Sequence, residues 1–177
     1  MAENHIGSVT RLAWMRAMRE GWRVVRAESG TYTLLLRCLS RQRIQVGSRR
    51  SLQLEPGYYI YVGSAFGPGG VRARVLRHAR STTARHWHID YLRDAARPVE
   101  AWSAYGERKL EHQWAQVLSG LPGMSPVPAF GCSDCDCKTH LFRSPRKPDH
   151  ERFSEAAGED VERFAWRISR TDQAEQR

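Results

Sequence analysis

The chain has 177 residues, with 28 Lys and Arg against 19 Asp and Glu for a formal net charge of +9. That length supports one hydrophobic core of ordinary size and leaves no room for two full domains. A hydrophobic fraction of 41% excludes a wholly disordered chain, no apolar run reaches the roughly 20 residues of a bilayer span, and the basic excess makes nucleic acid the expected partner.

The start MAENHIGSVTRLAW lacks the apolar core of a secretory signal, so a cytoplasmic location is expected. From Ser8 to Arg26, apolar residues recur at spacings near three and four, which predicts a helix within an N-terminal extension over 1–29. At Gly30 the pattern changes. Thr31 to Leu36 are β-branched, aromatic or aliphatic and predict a buried strand. Ile44, Val46, Leu52 and Leu54 around Gly47-Ser48 predict a hairpin, and Tyr58 to Val62 a second major strand after the turn Glu55-Pro56-Gly57.

Gly67-Pro68-Gly69-Gly70 interrupts regular structure, and a basic helix follows with Val71, Val75 and His78 on one face. A short helix is expected over Ile89 to Ala96, a third major strand over Pro98 to Tyr105, and a helix over Arg108 to Leu121 with Leu110, Trp114, Val117 and Leu118 inward. A Pro-rich linker leads to a Cys-rich segment over 130–142. The stretch over 145–177 reads as a charged, partly disordered tail with one late helix at Val161 to Ile168. The predicted class is α+β: a mainly antiparallel sheet of three main strands plus an inserted hairpin, flanked by helices, within a domain over 30–144.

Two phenols, Tyr32 beside Gly30 and Tyr61 beside Gly63, stand on strands that the hairpin brings together, where they can hydrogen-bond a water or a phosphate. Arg74 and His78, four apart on the next helix, share a face. A guanidinium is bidentate toward phosphate, and an imidazole can accept or relay a proton near neutral pH. Arg72, Arg77, Arg80 and Arg85, with Ser64 at the end of the tyrosine strand, are expected to hold a nucleic-acid backbone. His86, His88 and Asp90 read either as a metal set or as a packed segment whose histidines bond within the protein.

Of the four cysteines, Cys132, Cys135 and Cys137 are crowded together and are followed by His140. Three thiols and an imidazole make a Cys₃His zinc set, although structural zinc sites normally draw on two separated chain segments; a redox pair and buried small residues are the alternatives.

Taken together, Gly30-Thr31-Tyr32, Tyr61-Val62-Gly63, Arg74 on the next helix and a glutamate on the helix after the third strand resemble the GIY-YIG nuclease superfamily. The stretches GYYIYVGSA, RHWHIDYL and FGCSDCDCKTHLF resemble its branch called domain of unknown function 123, which some archaea fuse to an endonuclease III-type repair glycosylase. The resemblance implies metal-dependent hydrolysis of phosphodiester bonds in DNA, with a repair role and a repair glycosylase as partner. It implies Tyr32 and Tyr61 in the phenol roles, Arg74 against the phosphorane charge, His78 beside them, and Glu111 as ligand to magnesium or manganese. Glu107, four residues before Glu111, competes for that last role, and helix periodicity favours Glu111. A non-catalytic nucleic-acid-binding module and a zinc or redox protein are the competing readings. Phosphate contacts alone do not separate DNA from RNA.

Overall fold

Nine residues, Gly30–Cys38, form β1, and only Arg37 among them is not buried. Such a strand belongs in the middle of a sheet covered on both faces. The computed structural model describes residues 25–48, 50–79, 87–128, 130–131 and 137–166, so most of the helix expected between Ser8 and Arg26 lies outside the described residues. The predicted hairpin is β2 (Gln42–Val46) and β3 (Arg50–Leu54), a separate two-stranded sheet. β4 (Gly57–Ala65) and β5 (Arg97–Tyr105) flank β1, both antiparallel to it.

The remaining elements are α1 (Gly70–Ala79), α2 (His88–Leu92), α3 (Glu111–Gly120), β6 (Ser125–Pro126), β7 (Leu141–Ser144), α4 (His150–Ala157) and β8 (Glu162–Ala165). The main sheet has six strands in the order β6-β7-β4-β1-β5-β8, each pair antiparallel. The class is α+β, as expected, but the three main strands are extended by β6 and β7 beyond β4 and by β8 beyond β5.

The late helix expected over Val161 to Ile168 is a correction: its start is strand β8, paired with Glu100 to Ser103 of β5. Alternating exposure along Glu162–Ala165 and the ion pair of Arg163 with Glu100 favour a strand there. The helix lies earlier, as α4, where Asp149 accepts the Glu151 and Arg152 amides and Gly158 closes the far end at φ 66°. Residues 145–166, expected in a tail, therefore supply a helix and a sheet edge. The helix expected from Arg108 starts at Glu111, and the one expected to reach Ala96 ends at Leu92.

Pleating sorts β1 into two cores. Tyr32, Leu34, Leu36 and Cys38 join Val71 and Val75 of α1, Ile89 and Leu92 of α2, and Val46 and Leu54 of the hairpin. On the opposite face Leu35 joins Trp102, Trp114 and Leu118 with Phe153 of α4. The Phe153 ring centroid lies 5.0 Å from that of Trp102 and 5.1 Å from that of Trp114, a separation at which aromatic pairs add to simple burial. Beside them Glu100 is 1% exposed and accepts bonds from Trp102 Nε1 at 2.7 Å and Arg163 Nε at 2.6 Å, with Lys147 Nζ at 2.5 Å. Among the described residues no helix is long and apolar enough to cross a membrane.

Candidate active site

Antiparallel register puts the start of β1 and the ends of β4 and β5 at one edge of the sheet: Gly30 lies opposite both Ala65 and Tyr105. Helix α1 leaves that edge after β4, and α3 follows β5. Between them opens a cleft of about 440 Å³, lined by Tyr32, Tyr61, Arg74, His78 and Glu111 among others. Five side chains chosen from motifs on β1, β4, α1 and α3 thus share one cavity.

Tyr32 faces Gly63 across the β1–β4 ladder, and Tyr61, two residues earlier on β4, lies on the same face. A Cβ at Gly63 would sit 2.8 Å from the Tyr32 hydroxyl. Glycine is needed there because the Tyr32 ring lies over the β4 backbone. Gly131, at φ 74°, packs against the Tyr61 ring in the same way, where a Cβ would stand 3.1 Å from Cε2.

The Tyr32 hydroxyl is 2.8 Å from His78 Nε2 in a buried pair. Burial first, then the charges of Arg93, Arg77 and Arg74, overcomes the attraction of Asp90 and pushes the His78 pKa down to about 3. Burial and the neighbouring Tyr61 raise the Tyr32 pKa well above its ordinary value of 10.0, against Arg74 and Arg77. Both groups are neutral across the physiological range. His78 Nδ1 has no hydrogen-bond partner among the described residues and lies 3.9 Å from Asp90 Oδ1. That orientation favours the tautomer protonated on Nδ1, which leaves Nε2 to accept from the Tyr32 hydroxyl.

Asp90 itself is a buried carboxylate on which several donors converge: Arg77 Nη2 at 3.1 Å, Arg93 Nη1 at 3.5 Å and the Trp87 amide at 3.1 Å. These contacts make α1 and α2 one unit behind His78. Arg77, expected on a nucleic-acid backbone, is instead committed to Asp90 and to the face of Trp87, 3.8 Å from its ring centroid. Arg74 lies 4.5 Å from the same centroid and lines the cleft.

Arg72 sits on α1 away from the cleft lining, with its amide bonded to the Arg26 carbonyl at 3.1 Å. Arg80, Arg85 and His86 lie outside the described residues. Ser64 is in the cleft wall, and its hydroxyl oxygen is buried with no hydrogen-bond partner among the described residues.

Across the cleft, the Leu110 amide at the start of α3 donates to Thr31 Oγ1 at 3.0 Å. The residue beside Tyr32 thereby fixes where Glu111 stands. Glu111 is the one carboxylate lining the cleft among the described residues, whereas Glu107 is exposed in the loop before α3. A single carboxylate with open space beside it suits magnesium, which keeps most of its waters and takes substrate phosphate oxygens. Lys109, just before α3, adds a second positive group to the cleft lining.

The protein-family description "Domain of unknown function DUF123" matches residues 31–163. The chain belongs to the DUF123 family. No curated protein and no solved structure matches it. The match covers the sheet from β1 into β8, and hence every cleft residue named above.

Several groups in or beside the DUF123 cleft have partners that only the fold reveals. Asp90, which the sequence leaves open between a metal set and a packed segment, is paired with Arg77 and Arg93, partners that only the fold brings together. His88 accepts from the Gly131 amide at 3.2 Å, which fits the reading of a histidine bonded within the protein. His112 and His140 also line the cleft. Of the expected zinc set, Cys137 and His140 are described, while Cys132 and Cys135 lie outside the described residues.

The shifted pKa values of His78 and Glu100 give the DUF123 protein a pH signature. An unfolded histidine takes its proton near pH 6.5, while folded His78 stays neutral down to about 3. The unfolded chain therefore binds more protons in that window, and stability falls as pH drops from about 6.5 toward 3. Burial alone would raise the Glu100 pKa, but the bonds from Arg163, Lys147 and Trp102 together hold it below its ordinary value. Glu100 stabilises the fold above its unfolded pKa, and that contribution is lost as pH falls through its folded value. The melting temperature followed by circular dichroism should fall by roughly 10 °C or more between pH 7 and pH 4. A flat profile would contradict the burial of His78.

Proposed function

We propose that this DUF123 protein is a metal-dependent endonuclease of GIY-YIG type that hydrolyses phosphodiester bonds in DNA. The observation that carries the reading is the convergence of the Tyr32–His78 pair, Tyr61, Arg74 and Glu111 in one cleft from four separate elements. In this reading the Tyr32 hydroxyl donates to His78 Nε2, which turns its oxygen lone pairs toward the cavity to accept a hydrogen bond from the attacking water and orient it. The neutral imidazole holds that orientation without adding a positive charge.

Arg74, whose guanidinium carbon lies over the Trp87 ring at 4.5 Å from its centroid, places its guanidinium against the non-bridging oxygens as charge builds on the phosphorus. Tyr61 offers a second phenol toward the same centre. Magnesium or manganese held by Glu111 would supply Lewis-acid polarisation of the phosphate. The net charge of +9 brings the polyanion to the surface. A repair role, with a repair glycosylase as partner, rests on the resemblance to the GIY-YIG superfamily.

The test is incubation of the purified protein with end-labelled single-stranded, duplex, flap and abasic DNA, and matched RNA, in magnesium or manganese. Cleavage that stops with a chelator and slows about 10²-fold in Tyr32→Phe supports the reading. Binding without cleavage under every ion would replace it with a non-catalytic nucleic-acid-binding module.

A further inference from the structure

A second cluster of donors, two of which line the cleft, is chemically unlike Glu111. His112, in the first turn of α3, has Nδ1 2.9 Å from Cys137 Sγ. One ligand atom each from His112, Cys137 and His140 lie within 4.8 Å of one another. Donors at zinc distances in a tetrahedron stand about 3.3–3.8 Å apart. The three need only small side-chain movements to close on an ion.

The backbone that carries His140 is already held. Its amide donates to the Phe130 carbonyl at 2.8 Å, and its carbonyl accepts from Val62 of β4 at 2.9 Å. The residue is 4% exposed. Its ring meets that of His112 edge-on, with centroids 5.7 Å apart. The free side of His112 adds an independent indication: Nε2 lies 3.7 Å from Glu111 Oε1. A metal-bound imidazole commonly turns its other N–H toward a carboxylate, which fixes its tautomer and strengthens it as a ligand.

We propose that His112, Cys137 and His140 form a binding site for a soft divalent cation of the zinc class. Thiolate and imidazole favour zinc over magnesium, so this site and the Glu111 carboxylate take different ions. The donors come from two chain segments far apart in sequence, as structural zinc sites require and as a set confined to residues 132 to 140 would not provide. Three protein ligands leave one tetrahedral position for water or another donor. The bound ion would pin the segment leading into β7 onto α3, setting the distance between two walls of the cleft. The proposal is independent of whether the cleft hydrolyses phosphodiesters.

The experiment is metal analysis of full-length protein purified with zinc, together with absorption spectra after exchange into cobalt. About one zinc per chain is expected, with a thiolate-to-cobalt charge-transfer band. His112→Ala and Cys137→Ser should each bind zinc at least about a hundredfold more weakly and lose that band or its tetrahedral neighbours. His112→Cys, which replaces one zinc ligand with another, should keep the metal, and so should a variant far from the cluster such as Glu55→Gln. Near-ultraviolet circular dichroism of the tryptophans reports whether each variant folds. Absence of zinc from the wild type at micromolar zinc overturns the proposal. So does full zinc retention in His112→Ala, which would confine any metal to the cysteine segment.

Discussion

Arg74→Ala is expected to lower the rate of DNA cleavage by about 10³-fold, with Glu111→Gln falling by a similar factor. The two side chains reach the cavity from α1 and α3, on opposite walls, and neither is buried. Their removal therefore changes the charge of the cleft without opening a core, and thermal stability should stay within a few degrees of wild type. Arg74→Lys is expected to rescue little, because an ammonium has neither the planar two-pronged contact with phosphate nor the same fit over Trp87. DNA binding should weaken only modestly, since one phosphate contact is lost from a large electrostatic total. Single-turnover cleavage and filter binding, measured in parallel at fixed salt, separate the two effects. A variant that binds and cuts like wild type would remove Arg74 from the mechanism.

The second large effect concerns stability. Asp90→Ala should destabilise the fold by about 3–5 kcal/mol, the range for removing one partner from a buried charge cluster. The Asp90 carboxylate is 3% exposed, and the Arg93 side chain that meets it is only 8% exposed. Removing the carboxylate leaves Arg77 and Arg93 with their mutual repulsion and less to offset it. Asp90→Asn keeps the volume and the Trp87 amide bond, so it should lose less. Urea unfolding monitored by tryptophan fluorescence measures both, and a loss below about 1 kcal/mol for Asp90→Ala would show that the cluster is not a structural hinge point. His78 faces Asp90 through Nδ1, so the same variants should also alter the Tyr32–His78 pair and slow cleavage beyond what the loss of fold explains.

The legibility of this fold in its sequence followed the length of its elements. β1, β4 and β5 are nine residues each and carry β-branched and aromatic runs, so their pattern exceeds the noise of composition. β6, β7 and β8 are two to four residues long, too short for any period to register, and their strand character comes from pairing with partners distant in sequence. The helix at His150–Ala157 was signalled only by its caps, Asp149 and Gly158, inside a segment whose charge suggested disorder.

The cleft divides in the same way. Tyr32, Tyr61, Arg74, His78 and Glu111 could be named because each sits in a motif or on a helical face. Arg77 looked like one more member of a basic surface, and only the fold shows it turned inward to Asp90. The grouping of His112 with Cys137 and His140 is not legible in the sequence, because they lie far from it along the chain.

The sheet order also governs how the protein must assemble. β1, first of the described strands in chain order, ends up between β4 and β5, and the outermost partner of β5 is β8, the last strand described. None of these pairings is a local hairpin, so the chain has to close long loops before the central ladder repays their entropy. Folding on the order of milliseconds to seconds, rather than microseconds, is the kinetic consequence. Until β4 and β5 arrive, the nascent β1 presents an apolar, unprotected edge, and premature release from the ribosome or a chaperone at that stage would favour strand pairing between chains.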